Sequence, residues 1–360
     1  MSEVLKLSPL DQEHRDLGGR MVPFAGWEMP VMYSSIIEEH QCVRDACGIF
    51  DISYMGQLFV EGDGAVGWLN QMLTNNVADL EVGNAHYTFL LNENGGVIDD
   101  LILYRLGESV FLLVVNASCG NKDVTWLEEN LAEGVTLCDE SSEWAGLAIQ
   151  GSRAPEVFSA ITDGRTLPNR NGVDDLQHEG RRIIIGRTGY TGEDGFELFC
   201  SAREASFWWN ALLEEDVKPC GLGSRDSLRL EMCYPLNGSD FSTKRTPLEV
   251  GLGFFVAFQK GEFVGREVLT LQKEEGLAER LMAIKISERA APPKPGYPVV
   301  DEDGEPLGVL TSGGLSPTLG CGIALAYLPT DRVEVNTKVF VEIRGRKISA
   351  QVVKKPFYQK

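Results

Sequence analysis

Runs of β-branched and apolar residues along the chain predict strands. Residues 110–115 and 182–186 form two such runs, and residues 338–353 form two more around a turn at 344–346. These runs do not follow the regular strand and helix alternation of a doubly wound sheet. We therefore expect an α+β fold with largely antiparallel sheets.

Helical periodicity appears in three places between these strands. Residues 35–47 begin with Ser35 and Glu38 at capping-box spacing and carry an apolar face. A second apolar group lies at residues 68–73, and a third helix is predicted to begin near Ser224. These helices are short, as is usual for helices that cover one face of a sheet.

A domain boundary is predicted after residue 275. A charged helix around residues 273–280 precedes a strand at 281–286 and the proline-rich run 290–295. Short strands and glycine-rich turns follow, as in a small barrel or sandwich. We expect residues 1–275 to form one region, with two intertwined subdomains, and residues 280–360 to form a C-terminal β-barrel domain.

The charge balance limits the class of partner. The chain has 360 residues, with 33 Lys and Arg against 53 Asp and Glu, and a formal net charge of −20. An acidic surface repels nucleic-acid phosphates and anionic lipid, so we expect no nucleic acid and no membrane as partners. An anionic small ligand would need a local cluster of Arg or backbone N–H groups.

Cysteine and histidine usage favours a cytoplasmic protein. The 8 cysteines form no CxxC pair, and the 4 histidines form no ligand-like cluster, so we expect neither a metal site nor a disulfide framework. The first residues show no basic and apolar leader, and no apolar run approaches the roughly 18 residues that a membrane span needs.

A pair of carboxylates stands at the start of a predicted strand. Because strand side chains alternate, Asp100, Ile102 and Tyr104 share one face, while Leu101 shares the other with Leu103. A carboxylate in an otherwise apolar strand is costly to bury unless it is paired. Asp99 and Asp100 therefore belong either to a solvated turn or to a functional site, and Tyr104 either packs in the core or lines that site.

Two further polar residues end or interrupt apolar strands. Asn116 follows five apolar residues and either caps the strand or offers an amide that can donate to and accept from a heterocycle. Residues 186–198 contain glycines at 186, 189, 192 and 195, which permit either a solvated hairpin or close approach of backbone to a ligand. Glu197 in the strand that follows could accept hydrogen bonds from adjacent N–H donors of a pterin-type ring.

Other catalytic motifs are missing from the sequence. It has no GxxxxGK[ST] segment and no G-x-S-x-G elbow, and Gly221 and Gly223 lack the third glycine of the dinucleotide fingerprint. No His stands beside a Ser or Cys in a recognisable nucleophile motif.

Seven segments together resemble the glycine cleavage T-protein family along nearly the whole chain. They lie in the family's order at residues 24–30, 48–53, 94–100, 114–117, 187–195, 221–226 and 311–320. Each segment is modestly specific, and the ordered set is very specific.

This resemblance implies a fold and an activity. The implied fold is a three-domain cloverleaf around a central folate channel, with a C-terminal barrel. The implied enzyme is an aminomethyltransferase that moves a methylene group from an aminomethyl group on a lipoylated H protein to tetrahydrofolate and releases ammonia. The implied partners are H protein, with its lipoyl group, tetrahydrofolate, and the P and L proteins of the same system.

The resemblance also implies roles for individual residues. Asp100 is similar to the catalytic carboxylate of the family. Six others resemble folate contacts: Tyr87, Tyr104, Asn116, Tyr190, Glu197 and Arg225. The chain departs from the usual pattern at Tyr54, where a His is common, and at residues 231–238.

Two alternatives on the same scaffold remain open at this stage. A folate-binding iron–sulfur assembly factor carries a Lys-Gly-Cys motif, whereas this chain reads Lys260, Gly261 and Glu262. A folate-dependent demethylase would act on a free N-methyl or S-methyl donor, and ammonia release from aminomethylated H protein discriminates the two reactions.

Overall fold

A computed structural model describes residues 4–360. Its chain contacts divide it into two compact units. Within the described residues, the first unit comprises 4–90 and Ile98–Arg225, and the second comprises Leu91–Val97 and Asp226–Lys360. The second unit thus includes a seven-residue segment from the middle of the first half of the chain.

Fourteen of the strands belong wholly or mainly to the first unit. In chain order they are β1 (Lys6–Leu7), β2 (Arg20–Phe24), β3 (Trp27–Met32), β4 (Gly48–Asp51), β5 (Gly56–Glu61), β6 (Ala85–Leu91), β7 (Val97–Gly107), β8 (Val110–Val115), β9 (Thr136–Asp139), β10 (Trp144–Gln150), β11 (Val173–His178), β12 (Arg181–Gly186), β13 (Gly195–Ser201) and β14 (Lys218–Pro219).

These strands form three sheets. One has three strands in the order β1-β3-β2, one has six in the order β11-β12-β13-β10-β4-β14, and one has five in the order β6-β7-β8-β5-β9. Most neighbouring strands are antiparallel, although β1 with β3 and β14 with β4 are parallel. The expected α+β class with largely antiparallel sheets is confirmed.

The helices are short and lie between the strands. They are α1 (Asp11–Asp16), α2 (Ile36–Asp45), α3 (Ala65–Met72), α4 (Gly120–Glu129), α5 (Ala154–Ile161), α6 (Ala205–Glu214), α7 (Leu222–Glu231), α8 (Pro247–Val250) and α9 (Arg266–Glu275). The three helices predicted from periodicity are confirmed as α2, α3 and α7. The Ser35 side chain caps α2 by accepting from the backbone N–H of Glu38.

An apolar core of the first unit covers one face of the six-stranded sheet. Helices α5 and α6 pack on this face, and Trp208, Trp209 and Phe158 are fully buried there. Burying each large aromatic side chain stabilises the fold by about 2 to 3 kcal/mol.

A polar cluster is buried beside this core. The Asp51 carboxylate accepts hydrogen bonds from the Ser8 hydroxyl and the Ser53 backbone N–H, and lies 2.8 Å from Nε2 of His14. The Tyr33 hydroxyl lies 2.8 Å from Nδ1 of the same ring, so donation from Nε2 to Asp51 satisfies both nitrogens. Burial alone would raise the pKa of Asp51, but these hydrogen bonds outweigh it and hold that pKa below its usual value.

The C-terminal part of the second unit is a closed barrel. Its strands are β15 (Glu279–Ile286), β16 (Pro298–Val300), β17 (Pro306–Ser316), β18 (Cys321–Pro329), β19 (Lys338–Ile343) and β20 (Arg346–Val353), closed in the order β15-β18-β17-β16-β19-β20. Alternate side chains fill the interior with Ile, Val, Leu and Ala. The expected C-terminal barrel is confirmed.

Within the second unit, two buried acids anchor the segment 311–320. Asp240 accepts from the hydroxyls of Thr311 and Ser312 at 2.6 and 2.8 Å. Glu231 accepts from the hydroxyls of Ser316 and Thr318. This segment, one of the seven matching pieces, therefore has a structural reason for its hydroxyl residues.

No helix in the described residues, 4–360, is long and apolar enough to cross a membrane.

Candidate active site

Strand β7 presents Asp100 on a partly open face. Leu101 and Leu103 are buried on the opposite face, while Asp100 and Ile102 keep partial exposure. Asp99 is 0% exposed and lies inside the strand. The interpretation of this acidic pair as a solvated turn is therefore wrong, because the turn ends before the strand starts at Val97.

Two neighbouring side chains hold the Asp100 carboxylate. The Tyr87 hydroxyl donates to Oδ2 across 2.8 Å, and the Asn116 amide donates to Oδ1 across 2.8 Å. Tyr87 comes from β6, and Asn116 follows the end of β8. Since β6 and β8 flank β7 in the five-stranded sheet, each neighbour supplies one donor.

The surroundings raise the pKa of Asp100 to about 7. Burial is the largest cause, and the nearby charge of Asp99 adds to it. The hydrogen bonds from Tyr87 and Asn116 work in the opposite direction because they stabilise the ionised form. A carboxylate with a pKa near neutral is typical of an active site.

A second acid lies on β13. Glu197 is 6% exposed, and its Oε2 accepts from the hydroxyls of Tyr104 at 3.0 Å and Thr188 at 2.6 Å. Tyr104 is fully buried, and burial followed by the charge of Glu197 raises the pKa of its hydroxyl well above the usual value. The other carboxylate oxygen of Glu197 can accept N–H groups of a heterocycle.

Gly186 leaves room for the Tyr104 ring. It pairs with Glu197 across the β12 and β13 register. A Cβ atom at this position would lie 2.4 Å from the ring of Tyr104 and 2.9 Å from its hydroxyl oxygen. Only glycine permits the observed ring position.

The glycine-rich segment between β12 and β13 wraps around Gln150. A Cβ at Gly189 would lie 2.1 Å from Gln150 Oε1, and one at Gly195 would lie 2.5 Å from Gln150 Nε2. The Thr191 hydroxyl donates to Gln150 Oε1 at 2.8 Å, and Gln150 Nε2 donates to the Thr188 carbonyl at 3.2 Å. The segment is therefore an ordered loop packed around Gln150 and not a solvated hairpin.

Arg225 places a positive charge beside two aromatic rings of the site. Its guanidinium carbon lies 5.2 Å from the Tyr190 ring centroid and 5.9 Å from that of Phe50. Its Nη1 atom is buried and has no hydrogen-bond partner within residues 4–360. An anionic or carbonyl oxygen of a ligand would satisfy this donor.

Tyr54 lies next to this cation. It is 8% exposed, packs edge-to-face on Phe24 and lies close enough to Arg225 for the guanidinium charge to act on its hydroxyl. Burial raises its pKa, and the charge of Arg225 partly offsets that rise. The tyrosine that replaces the common histidine therefore touches the site through Arg225.

All seven residues singled out from the sequence lie in the first unit. Three form one group (Asp100, Tyr87 and Asn116), two share the Glu197 group (Tyr104 and Glu197), and Arg225 covers Tyr190. Burial, followed by the charge of Asp100, raises the pKa of Tyr87 well above its usual value, and the nearby Tyr190 adds to this rise.

One polar partner of these groups, Thr188, was not predicted from the sequence, and the contact that Asp99 makes was not predicted either. Thr188 bridges Tyr104 and Glu197, and its only signal was its place within the glycine-rich segment. Asp99, considered from the sequence only as one of an acidic pair, accepts from the backbone N–H and from the side-chain amide of Asn116. No group of three or more metal-ligating side chains is present among residues 4–360.

Two family models match the chain. The GCVT N-terminal domain matches residues 10–260, and the glycine cleavage T-protein C-terminal barrel domain matches residues 279–359.

Relatives and a solved structure match over the full length. An aminomethyltransferase of Geobacillus kaustophilus is 44% identical over 99% of this chain and 100% of its own length. One of Symbiobacterium thermophilum is 44% identical over 100% of this chain and 99% of its own. The crystal structure of glycine cleavage system aminomethyltransferase T from Bartonella henselae superposes with a TM-score of 0.93 at 34% identity, over 99% of this chain and 98% of that chain.

Proposed function

The chain belongs to the glycine cleavage T-protein family, and on this premise we propose how the residues of its first unit carry out the reaction. Its activity is that of an aminomethyltransferase of the glycine cleavage system, with tetrahydrofolate as co-substrate. The iron–sulfur assembly factor and the demethylase are not favoured, because the similar full-length relatives are aminomethyltransferases.

Asp100 is proposed as the catalytic carboxylate. The observation that carries this role is its geometry: a half-buried acid held by Tyr87 and Asn116, with a pKa of about 7. When ammonia leaves the aminomethyl group, its carbon becomes electrophilic and iminium-like. A fixed negative charge stabilises that carbon and orients the attacking nitrogen, an effect that can supply about 3 to 4 kcal/mol.

The folate-binding residues are proposed to be Tyr87, Tyr104, Asn116, Tyr190, Glu197 and Arg225. Glu197 is the acceptor best suited to adjacent N–H groups of the pterin, because Tyr104 and Thr188 occupy only one of its two oxygens. Tyr190 offers a partly exposed aromatic ring, and Arg225 offers an unsatisfied donor. This set fits a flat heterocycle with both N–H and oxygen groups.

The donor is proposed to be the aminomethyl group on the lipoyl arm of H protein. Its C–N bond breaks with departure of ammonia, and one folate nitrogen forms a C–N bond to the methylene carbon. The C–S bond to the lipoyl arm then breaks as the second folate nitrogen bonds the same carbon, and the two displaced N–H protons end on ammonia and on the lipoyl thiol. The methylene group is therefore transferred without a redox change. We further propose functional association with the P and L proteins, and a cytoplasmic location in keeping with the cysteines expected to be reduced.

A reconstituted assay tests this proposal. Aminomethylated H protein and tetrahydrofolate are mixed with the wild-type chain, the Asp100→Asn variant, or no chain, and methylenetetrahydrofolate and ammonia are measured. We expect kcat to fall about 10²-fold or more in Asp100→Asn, with folate binding retained, since one preorganised charge is lost.

The matched control is Asp174→Asn, an exposed acid of the same unit. It should leave kcat unchanged. Wild-type kcat in Asp100→Asn, with normal folate binding, would remove Asp100 from the catalytic role.

A further inference from the structure

A second buried carboxyl group lies behind Asp99. Asp123 belongs to the first turn of α4 and is 0% exposed. No amide, hydroxyl or cationic group in the part of the chain that the structure describes donates to either of its carboxyl oxygens. A buried ionised carboxylate without a donor is costly, so this group needs another way to be satisfied.

The carboxyl of Asp99 is the neighbour that satisfies it. The side chains of Asp99 and Asp123 lie close enough for each carboxyl to shift the pKa of the other. Two ionised carboxylates are both acceptors only, so a hydrogen bond between them requires one shared proton. Such a pair therefore carries one negative charge in place of two.

Asp99 in turn positions Asn116. Its Oδ2 accepts from the backbone N–H of Asn116 and its Oδ1 from the side-chain amide, both across 2.9 Å. The same amide donates to Oδ1 of Asp100 across 2.8 Å. Hydrogen bonds therefore connect Asp99 through Asn116 to Asp100, and Asp123 lies at the Asp99 end of this chain.

We propose that Asp123 is a positioning residue that holds the Asp99 carboxyl through one shared proton, so that Asp99 fixes the Asn116 amide on Asp100. The inference rests on the proposed role of Asp100, because the chain of contacts ends there. In this proposal Asp123, on α4, touches no substrate and acts on Asp100 through two residues, Asp99 and Asn116.

The remaining polar and charged neighbours are compatible with one shared proton. The Cys119 thiol forms a hydrogen bond with Asp99, and the charge of Lys122 favours the ionised form of Asp123. Burial, followed by the charge of Asp123, raises the pKa of Asp99 well above its usual value, and burial raises that of Asp123 to about 6. Above that value the pair keeps a single proton, which belongs to the pair and not to either residue alone.

Infrared spectroscopy tests the shared proton directly and without substrate. At about pH 8, where isolated carboxyls are ionised, the wild-type chain should show the carbonyl stretch of a protonated carboxylic acid, identified by its shift in D2O. The wild-type minus Asp123→Asn difference spectrum should contain this band, because the amide can donate to Asp99 without a proton. A difference spectrum without the band overturns the shared proton, whatever the role of Asp100.

Kinetics test the positioning role. We expect Asp123→Leu to lower kcat about tenfold or more with a smaller change in the KM for tetrahydrofolate, because the Asp99 carboxyl loses its anchor. Asp123→Asn should restore kcat to within about threefold of wild type, because its amide keeps the hydrogen bond. Wild-type kcat in Asp123→Leu overturns the positioning role.

The two proposals can fail separately. If Asp100→Asn is fully active while the infrared band is present, the role of Asp100 fails and the proton between Asp99 and Asp123 stands. If Asp123→Leu does not fold, the comparison of Asp123→Asn with wild type by infrared spectroscopy still decides whether the proton is shared.

Discussion

The Tyr87 hydroxyl donates to Oδ2 of Asp100 across 2.8 Å. This bond opposes the rise in the pKa of Asp100 that burial and Asp99 cause. It also orients the carboxylate from the β6 side, opposite the donor that follows β8. The ionisation and the direction of Asp100 therefore depend on the same tyrosine.

Tyr87→Phe should raise the pKa of Asp100. The ring is kept, but the ionised carboxylate loses a hydrogen bond of about 1.5 to 3 kcal/mol, which corresponds to about one to two pH units. The acidic limb of the pH profile of kcat/KM should therefore move to higher pH by about that amount. The control is Tyr297→Phe in the second unit, which should leave the limb in place. An unmoved limb in Tyr87→Phe would contradict the contribution of this bond.

The wild-type enzyme should lose activity as pH falls through about 7. Asp100 is an acid whose pKa is raised to about 7, so its charge is present above that value and lost below it. If the ionised form is the active one, kcat/KM for tetrahydrofolate should fall about tenfold per pH unit on the acidic side. The same limb should be absent from the residual activity of Asp100→Asn. A limb that persists there belongs to another group.

Glu197→Gln should weaken folate binding. The amide keeps the volume of the side chain but replaces one carboxylate oxygen with a donor, which opposes the N–H groups of the pterin. We expect Kd for tetrahydrofolate, measured by calorimetry, to rise about 10- to 100-fold, in line with about 1.5 to 3 kcal/mol for a hydrogen bond to a charged group. The exposed acid Glu133 provides the control variant Glu133→Gln. Equal affinity in Glu197→Gln and wild type would exclude Glu197 from the binding set.

Asp51→Asn should destabilise the first unit. Asp51 is buried with His14 and accepts from Ser8 and Ser53, so the variant disrupts a satisfied buried cluster and should lower the free energy of unfolding by about 3 to 5 kcal/mol at neutral pH. Its folded pKa lies below its usual value, so this stabilisation is present above about pH 4 and is lost as pH falls further.

Urea unfolding at several pH values measures this difference. The difference in the free energy of unfolding between wild type and Asp51→Asn should be largest near neutral pH and should become smaller in acid. Asp174→Asn, which alters an exposed acid, should show no gap at any pH. A gap that does not change with pH would show that the loss comes from packing and not from the charge of Asp51.

Strand periodicity predicted the direction of Asp100 and Tyr104 because a period of two is a local property of the chain. The same rule placed Asp99 on the other face, but it could not show that this face is buried against α4, 24 residues later. Asp123 stands among exposed charged residues of that helix, so the local sequence pattern did not predict that its side chain is buried. Thr188 was missed for the same reason, because its role depends on Tyr104, 84 residues earlier.

The resemblance to a family supplied what periodicity could not, namely which acid among 53 Asp and Glu to examine first. The barrel was predictable because its strands follow one another closely in the chain and alternate clearly. The assignment of residues 91–97 to the second unit was not predictable. Nothing in the composition of this seven-residue segment indicates that it packs with residues after 225.

Gly186 makes room for the Tyr104 ring by having no side chain. Any larger residue there would push the Tyr104 hydroxyl away from Glu197. The hydrogen bond from Tyr104 to that carboxylate therefore depends on the absence of a Cβ atom at position 186. A larger residue at position 186 would therefore be tolerated only together with a smaller one at position 104, so the two positions are constrained as a pair.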